Sequence, residues 1–327
     1  IEAGTKREDS YFISTPIFHI AAGANIFFAI YMGCKLVIGK SFDPERTLYL
    51  TQKERITNVL LVPTMVNAVL QVPNFAKYDL SSMKLIHYGA SPMPIEVLRQ
   101  GLERFPCGFM QLYGQTEAGP CMTVLPPGDH HLKGEERWVK KLGSAGRAII
   151  NCEVRVVDDG GRDVGIGEVG EVIGQGEAIA RGYWERPEDT ADTFRDGWLH
   201  TGDMATVDED GYIYIVDRKK DMIISGGENI YPREIEELLY RHPAILECTV
   251  IGVPDDYWGE SVKACVVLKP GREATAAEII QFCKDNLASY KKPKSVDFLA
   301  ELPKSPQGKI LKRELRADYW KDRPRQV

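Results

Sequence analysis

The sequence predicts an α/β fold: a largely parallel sheet covered by helices, followed by a β-barrel-like subdomain and a small mobile α+β C-terminal domain. Three changes of pattern predict this order. Near-continuous apolar runs alternate with helical patterns over residues 1–140, apolar and polar residues alternate over 141–217, and short helices and strands mix over 218–327. We expect a hinge near Lys220, where the charged run Asp217–Asp221 separates the second region from the third.

The composition is that of a soluble globular protein and excludes several function classes. The 327 residues carry a net charge of −6, which gives no electrostatic footprint for nucleic acid. The longest apolar stretch, Ile20–Cys34, contains Asn25 and is too short for a membrane span, so we predict a buried helix there. Seven isolated cysteines without CxxC spacing indicate reduced thiols in a cytoplasmic protein.

Five apolar runs predict the strands of the first region: Tyr11–Phe18, Cys34–Gly39, Asn58–Pro63, Lys84–Gly89 and Gly108–Gly114. Helical patterns separate them, notably Pro44–Arg55 and Pro94–Arg104. Runs that are apolar throughout are typical of parallel strands with both faces buried. Ligands of such sheets bind at the carboxyl ends of the strands. Polar segments follow three of these runs, at His19, after Lys84–Gly89 and after Gly108–Gly114.

The second and third regions differ from the first in their pattern of apolar and polar residues. From Gly143, alternating residues between glycine turns predict antiparallel strands, and Asp208–Gly211 predicts a hairpin turn before a strand at Tyr212–Val216. The elements predicted for the third region are helices at Pro232–Arg241 and Thr275–Leu287, strands at Leu246–Val253, Val262–Leu268 and Val296–Leu299, and a basic loop from Lys304 to Leu315 leading into a last helix.

The turn Gly114–Glu117 offers a hydroxyl and a carboxylate at the end of a predicted strand. Thr116 could donate to a phosphate oxygen, and Glu117 could hold Mg²⁺ directly or through water. The ring of Tyr113 offers a flat face on which a purine could stack. A polar turn that caps a helix would show the same residues, so this motif alone does not decide the function.

Four motifs occur in a fixed order along the chain. They are Tyr113-Gly114-Gln115-Thr116-Glu117, Thr201-Gly202-Asp203, the run Asp217–Asp221 with Ser225-Gly226-Gly227-Glu228, and Pro306-Gln307-Gly308-Lys309. With these motifs the chain resembles the adenylate-forming superfamily, which comprises acyl- and aryl-CoA synthetases, nonribosomal peptide adenylation domains and beetle luciferases. The resemblance covers essentially the whole chain. It corresponds to the later part of the family's large AMP-binding domain and to its C-terminal domain.

The resemblance implies a nucleotide site for ATP and AMP in the first region. Gly89-Ala90-Ser91 would border the adenine and the acyl pocket. Tyr113 would pack on the adenine, in a loop that includes Gly114-Gln115. Thr116 would contact the phosphate, and Glu117 would hold Mg²⁺.

The resemblance also implies roles for residues near and beyond the hinge. Asp203 and Arg218 would bind the ribose hydroxyls. Lys309 would bridge the substrate carboxylate and the α-phosphate, because a mobile ammonium offsets the repulsion between two anions. Lys220 would be the pivot of a domain rotation that presents the loop Ser225-Gly226-Gly227-Glu228 to the pantetheine arm of coenzyme A.

Two of these residues also have a purely structural interpretation. A histidine after a strand, such as His19, is more often a structural residue, but its place after Pro16-Ile17-Phe18 matches the family position between the acyl pocket and the pantetheine tunnel. Lys309 lies in a basic segment that could be a solvated face, together with Lys304, Lys312 and Arg313. His200 is interpreted as a packed residue beside the ribose loop.

The sequence therefore predicts a carboxylate:CoA ligase that uses ATP, Mg²⁺ and coenzyme A. No segment matches the family's glycine- and hydroxyl-rich triphosphate loop, so we expect that this chain does not form adenylate by itself. The small apolar residues Ile20–Ala24 favour a fatty or aromatic acid over an amino acid. A peptide-synthetase adenylation domain, a luciferase-like oxygenase and a non-catalytic AMP- or CoA-binding protein remain alternatives, and the oligomeric state, a homodimer included, stays open.

Overall fold

The computed structural model describes residues 4–321, so the outermost residues of the predicted regions 1–140 and 218–327 lie outside the described residues. Contacts within the chain divide it into two units. The first unit comprises the chain up to Thr201, together with Ala205–Ile215 and Pro306–Lys309. The second unit comprises Gly202–Met204, Val216–Ser305 and the chain from Ile310 onward. The three predicted regions and the hinge at Lys220 stay predictions.

The first sheet has the strand order β2-β1-β3-β4-β5-β6-β7. Its strands are β1 (Ser10–Ile13), β2 (Lys35–Ile38), β3 (Asn58–Leu60), β4 (Leu85–Gly89), β5 (Gly108–Tyr113), β6 (Thr123–Leu125) and β7 (Arg147–Ala148). The strands β1 to β5 pair in parallel, whereas β6 and β7 are antiparallel. The prediction of a largely parallel sheet is therefore confirmed. The first strand ends at Ile13, earlier than predicted, because the chain leaves the sheet before Pro16.

The helices within residues 4–321 are α1 (Ile20–Met32), α2 (Pro44–Glu54), α3 (Pro63–Leu70), α4 (Ile95–Arg104), α5 (Glu136–Lys140), α6 (Pro187–Thr193), α7 (Pro232–Leu239), α8 (Ala276–Asn286) and α9 (Lys312–Ala317). Local signals fix several of their ends. Asp43 caps α2 by accepting from the backbone of Arg46 at 2.6 Å. At α8, Thr275 and Glu278 form a reciprocal capping box. None of the helices in this part of the chain has the length and apolar composition needed to cross a membrane.

The prediction that the apolar stretch around α1 is a buried helix is wrong in its second half. The helix forms, but Phe27, Ile30 and Tyr31 are 75, 65 and 86% exposed. Its fully buried side chains are the small residues Ala22 and Ala29. The helix therefore has small residues at its fully buried positions and leaves several large apolar side chains exposed, which a count of apolar residues cannot reveal.

The second sheet is antiparallel, as the alternating pattern predicted. Its strands are β8 (Cys152–Val157), β9 (Gly170–Gly176), β10 (Phe194–Arg195), β11 (Trp198–Val207) and β12 (Ile213–Arg218). The order is β10-β11-β9-β8, and β12 pairs with β11. The predicted hairpin turn is present, and Asp208 stabilises it by accepting from the backbone of Asp210 and Tyr212 at 3.0 and 2.9 Å.

The third sheet belongs to the second unit. Its strands are β13 (Ile223–Ser225), β14 (Glu228–Ile230), β15 (Ile245–Asp255), β16 (Gly259–Leu268) and β17 (Ser295–Phe298). The order is β14-β13-β16-β15, and β17 pairs with β16 in parallel. Apolar side chains of α7 and α8, such as Ile235 and Ile279, are fully buried against it. The helices α7 and α8 appear where they were predicted, one or two residues shorter at their ends.

A cluster of charged side chains is largely buried in the second unit beside the charged run Asp217–Asp221. The Lys312 ammonium lies 2.9 Å from Glu236, and the Arg316 guanidinium lies 2.7 Å from Asp221. Burial alone would lower the pKa of Lys312, but the carboxylates of Glu236, Asp217 and Asp221 raise it above its usual value. Lys312 is therefore a structural cation and not part of a solvated basic face.

Candidate functional site

The carboxyl ends of the parallel strands meet at one edge of the first sheet. The pairing of Leu60 with His87, and of Gly89 with Leu112, aligns β3, β4 and β5 at this edge. Gly89 has no space for a side chain, because a Cβ there would collide with the carbonyl oxygen of Leu112. Ala90 follows with a positive φ of 66°. The segment Gly89-Ala90-Ser91 is thus a tight turn pressed against β5, at the edge where parallel sheets bind ligands.

His19 lies at the same edge, at the start of α1. Its Nδ1 accepts a hydrogen bond from the backbone of Ala21 at 3.2 Å and so caps the helix. Burial and the nearby Lys309 ammonium lower the pKa of His19 below its ordinary value of 6.5. A neutral ring that accepts at Nδ1 carries its proton on Nε2. His19 therefore caps α1, and the ring still keeps a donor for a ligand. Its place between the acyl pocket and the pantetheine tunnel stays a prediction.

The segment Pro306–Lys309 belongs to the first unit by its contacts. The Thr64 hydroxyl, in the first turn of α3, donates to the carbonyl oxygen of Gly308 at 2.8 Å. Gly308 has a φ of +82°, and a Cβ there would lie 2.9 Å from the same hydroxyl. Glycine is therefore required at this position. The sequence did not single out Thr64, although a polar residue directly after a parallel strand was the available signal.

The turn after β5 holds the candidate phosphate and magnesium ligands. Tyr113 ends the strand, and Thr116–Ala118 form one turn of 3₁₀ helix. A Cβ on Gly114 would collide with the carbonyl oxygen of Pro120, so this turn is also tightly packed. Glu117 accepts from the Tyr183 hydroxyl at 2.7 Å, a partner that the sequence did not reveal.

The donor groups in residues 4–321 contain no cluster of three or more histidine, cysteine, aspartate or glutamate side chains able to hold a metal ion. A cation at Glu117 would therefore be held by one carboxylate together with phosphate oxygens and water. This is the donor set that Mg²⁺ commonly has in nucleotide-binding enzymes. The carboxylate of Glu117 fits such an ion, whereas a magnesium site made of protein ligands alone does not fit.

The candidate ribose ligands come together in the second unit. The Nε of Arg218 lies 3.1 Å from a carboxylate oxygen of Asp203. The Asp203 residue is 7% exposed, so its carboxylate is largely removed from water. A charge-assisted pair of this kind holds a carboxylate in a fixed orientation. A fixed carboxylate is suited to accept from two adjacent hydroxyls.

The hinge and the glycine loop adopt defined local structures in the second unit. Lys219–Asp221, which includes Lys220, form one turn of 3₁₀ helix directly after β12. Gly226 and Gly227 have φ of 61° and 85°, and they connect β13 to β14, with Ser225 paired to Glu228. Two consecutive positive φ values are typical of the tightest hairpin turns and favour glycine. The loop is therefore the tip of a hairpin.

Three histidines that were not assigned to the site lie in structural positions, and two of them, His200 and His130, have polar partners. His200 lies 3.1 Å from Glu171, consistent with a packed residue. His130 bridges two groups: its Nε2 lies 2.9 Å from the Tyr88 hydroxyl and its Nδ1 lies 2.9 Å from the carbonyl oxygen of Pro126. His87 is 5% exposed, and its Nε2 has no hydrogen-bond partner.

The turns at the carboxyl edge of the sheet are arranged as in a nucleotide-binding site, and two family profiles that match the chain agree with this. The profile described as AMP-binding enzyme matches residues 1–184, and the profile described as AMP-binding enzyme C-terminal domain matches residues 234–309. The chain belongs to the AMP-binding enzyme family. The resemblance to adenylate-forming enzymes is thereby confirmed, and the motifs of the chain lie in both matched regions and between them.

Named relatives and a solved structure resemble this chain over nearly all of its length. A feruloyl-CoA synthase from Amycolatopsis is 42% identical over 320 residues, which are 98% of this chain and 63% of the relative. A medium- and long-chain fatty acid–CoA ligase from Mycobacterium tuberculosis is 41% identical over 97% of this chain and 55% of its own length. The ATP-bound structure of MatB from Rhodopseudomonas palustris has a TM-score of 0.86 at 32% identity, covering 96% of this chain and 61% of MatB. The chain thus spans less than two thirds of these proteins.

Proposed function

We propose that this chain acts in an AMP-forming carboxylate:CoA ligase. The acid attacks the α-phosphate of ATP and gives acyl-AMP with release of pyrophosphate. The CoA thiol then attacks the acyl-AMP and gives the thioester with release of AMP. The observation that carries the proposal is the grouping of His19, Lys309 and the turns after β4 and β5 at the carboxyl edge of one parallel sheet. The names of the relatives support the same reaction class.

We assign the nucleotide to the two groups of residues described above. Gly89-Ala90-Ser91 and Tyr113 would hold the adenine, with the backbone of Gly114-Gln115 close to it. Thr116 would donate to the α-phosphate. Asp203 with Arg218 would take the ribose hydroxyls. Glu117 would hold Mg²⁺, which supplies positive charge to the phosphate oxygens when it is bound.

Lys309 is proposed as the cation of the adenylation step. Two anions, the carboxylate and the α-phosphate, must approach each other, and an ammonium between them lowers the cost of that approach. The position of Lys309 is fixed through Gly308, whose carbonyl oxygen accepts from Thr64. The nearby neutral ring of His19 adds no like charge to this pair of residues, because its pKa is lowered.

The thioester step is proposed to use the hinge and the glycine hairpin of the second unit. Lys220 would change its backbone angles, and the hairpin tip Ser225–Glu228 would face the pantetheine arm. A tip made of Gly226 and Gly227 presents backbone without side chains, which suits close approach of a thin chain.

The acid is proposed to be a fatty or an aromatic acid. The start of α1, Ile20–Ala24, carries small apolar residues and no charge next to His19. An amino acid would require a carboxylate for its ammonium group, and Ile20–Ala24 offer none. The relatives named above act on acids of both kinds, an aromatic one and medium- to long-chain fatty ones.

The half-reactions separate this proposal from its alternatives. We expect the 327-residue chain to convert acyl-AMP and CoA into acyl-CoA and AMP, measured by thioester formation with a fatty acyl-AMP and an aromatic acyl-AMP. Binding of AMP without turnover would favour a non-catalytic nucleotide-binding protein and would overturn the assignment. We expect no carboxylate-dependent ATP–pyrophosphate exchange from this chain alone, because none of its segments matches the family's triphosphate loop.

A further inference from the structure

We propose that Tyr183 is a positioning residue that orients the Glu117 carboxylate toward the cation of the nucleotide site. This inference rests on the proposed function of Glu117. The Tyr183 hydroxyl donates to Oε1 of Glu117 at 2.7 Å. A phenol that donates to a carboxylate makes a charge-assisted hydrogen bond, which is stronger and more directional than a neutral one. With Oε1 engaged in this way, Oε2 would be the oxygen that holds a cation or its bound water.

The segment that carries Tyr183 is fixed to the Glu117 turn by backbone contacts as well. The amide of Ala180 donates to the Glu117 carbonyl oxygen at 2.7 Å. Gly119 has a φ of +67°, and a Cβ there would lie 2.7 Å from the carbonyl oxygen of Ala178. The two segments therefore approach so closely that the turn after β5 tolerates only glycine at residue 119.

The tyrosine is in turn held by the helix that follows it. Its backbone amide donates to the Thr190 hydroxyl at 2.9 Å, and that hydroxyl donates to the carbonyl oxygen of Arg186 at 2.7 Å. The ring packs edge-on against Phe194, with the centroids 5.6 Å apart. The carboxylate is thus held by a residue that is itself held at two points, by Thr190 and by Phe194.

Groups that hydrogen-bond to a metal-binding carboxylate set its orientation, and their loss typically weakens metal binding by about 10- to 100-fold. Tyr183→Phe keeps the ring and its contact with Phe194 and removes only the hydroxyl. We therefore expect Tyr183→Phe to weaken cation binding by about tenfold while leaving the affinity for AMP alone unchanged.

The test measures binding of Mn²⁺ rather than turnover. Mn²⁺ is titrated into the 327-residue chain in the presence of α,β-methylene-ATP, and free Mn²⁺ is measured by its electron paramagnetic resonance signal. AMP binding without metal is measured by calorimetry on the same samples, and melting curves establish that each variant is folded. Tyr212→Phe is the matched control, because Tyr212 also donates from its hydroxyl to a carboxylate, that of Asp129 at 2.6 Å, outside the proposed site. Glu117→Gln is the variant that removes the proposed ligand.

The outcomes separate the inference from the function on which it rests. The inference is supported if Tyr183→Phe weakens Mn²⁺ binding about tenfold, AMP affinity is unchanged, and Tyr212→Phe behaves like the unmodified chain. If Glu117→Gln loses Mn²⁺ and Tyr183→Phe does not, the positioning role is wrong and the proposed ligand stands. Equal losses of AMP and Mn²⁺ affinity in Tyr183→Phe would make the tyrosine a general structural residue. If the unmodified chain shows no nucleotide-dependent Mn²⁺ binding, both the inference and the proposed cation ligand are overturned.

Discussion

Replacing His87 by leucine should make the stability of the protein less sensitive to acid. The imidazole is buried on β4, its Nε2 has no hydrogen-bond partner, and burial lowers the pKa of His87 from 6.5 to about 4. A histidine with a lowered folded-state pKa binds its proton more readily after unfolding. Its contribution to stability is therefore fully present above pH 6.5 and is lost as the pH falls from 6.5 toward 4.

The size of the effect follows from these two pKa values. Each unit of difference between the folded and unfolded pKa corresponds to about 1.4 kcal/mol, so the full loss below pH 4 is about 3 kcal/mol. At pH 5 the unfolded ring is almost fully protonated and the folded ring is mostly neutral, which gives a loss of about 2 kcal/mol. The free energy of unfolding of the unmodified protein should fall by this amount more than that of His87→Leu between pH 8 and pH 5.

The measurement is urea unfolding followed by circular dichroism at pH 8, 6 and 5 for both proteins. At pH 8 the leucine variant should be as stable as the unmodified protein or more stable, because an unpartnered buried nitrogen is replaced by apolar atoms. His130→Leu is the informative comparison: burial also lowers its pKa to about 4, but both ring nitrogens have partners. It should reduce the acid sensitivity similarly and lose stability at pH 8. Parallel pH profiles for His87→Leu and the unmodified protein would refute the reasoning.

Three further predictions concern lysines near the hinge and the candidate site. The first is tested in a chimera of this chain with the segment of the feruloyl-CoA synthase that it does not span. In this chimera Lys309→Ala should reduce carboxylate-dependent ATP–pyrophosphate exchange by at least about 10²-fold and leave thioester formation from supplied acyl-AMP intact. Equal loss of both half-reactions would contradict the assigned role. Lys220→Pro should leave that exchange intact in the same chimera and slow single-turnover thioester formation from acyl-AMP and CoA, because proline restricts the backbone of the pivot; an unchanged thioester rate would exclude the pivot. Lys312→Met should lower the free energy of unfolding by about 3–5 kcal/mol, because it leaves buried carboxylates without their cation, whereas Lys321→Met, which removes an exposed pair, should cost less than about 1 kcal/mol in the same denaturation assay.

The strands were predictable from sequence because the parallel strands are mostly apolar, with few polar side chains in each. The runs that became β3, β4 and β5 lie between polar or glycine-bearing segments, so their ends are marked locally. Exposure was harder to predict. The stretch Ile20–Cys34 was expected to be buried because it is apolar, yet Tyr31 is 86% exposed. Composition indicates whether a helix can be buried. Which face of the helix is buried depends on the packing of the fold.

The candidate site was predictable only where its residues form motifs. Thr116, Glu117 and Lys309 stand in short motifs with glycine neighbours that the backbone requires. Their supporting side chains have no such signal. Thr64 reaches Gly308 across 244 residues of sequence, and Tyr183 reaches Glu117 across 66. Contacts at such separations depend on the tertiary fold, so a single sequence carries no local trace of them.

Lys309 and Lys312 show why charge alone does not assign a function. They are three residues apart in the same basic segment, and the sequence offered a solvated face as an explanation for both. Lys309 directly follows the turn at Gly308, and Lys312 is the first residue of the helix α9. The first lysine therefore belongs to the unit that holds the parallel sheet, and the second belongs to the unit that contains the buried carboxylates. Lys312 neutralises carboxylates that the fold itself has buried, so its charge stabilises the folded protein. Lys309 lies beside a neutral histidine at the carboxyl edge of the sheet, where the proposed ligand supplies the anions. Substitution of Lys312 should therefore lower the stability of the protein, and substitution of Lys309 should reduce the rate of adenylation.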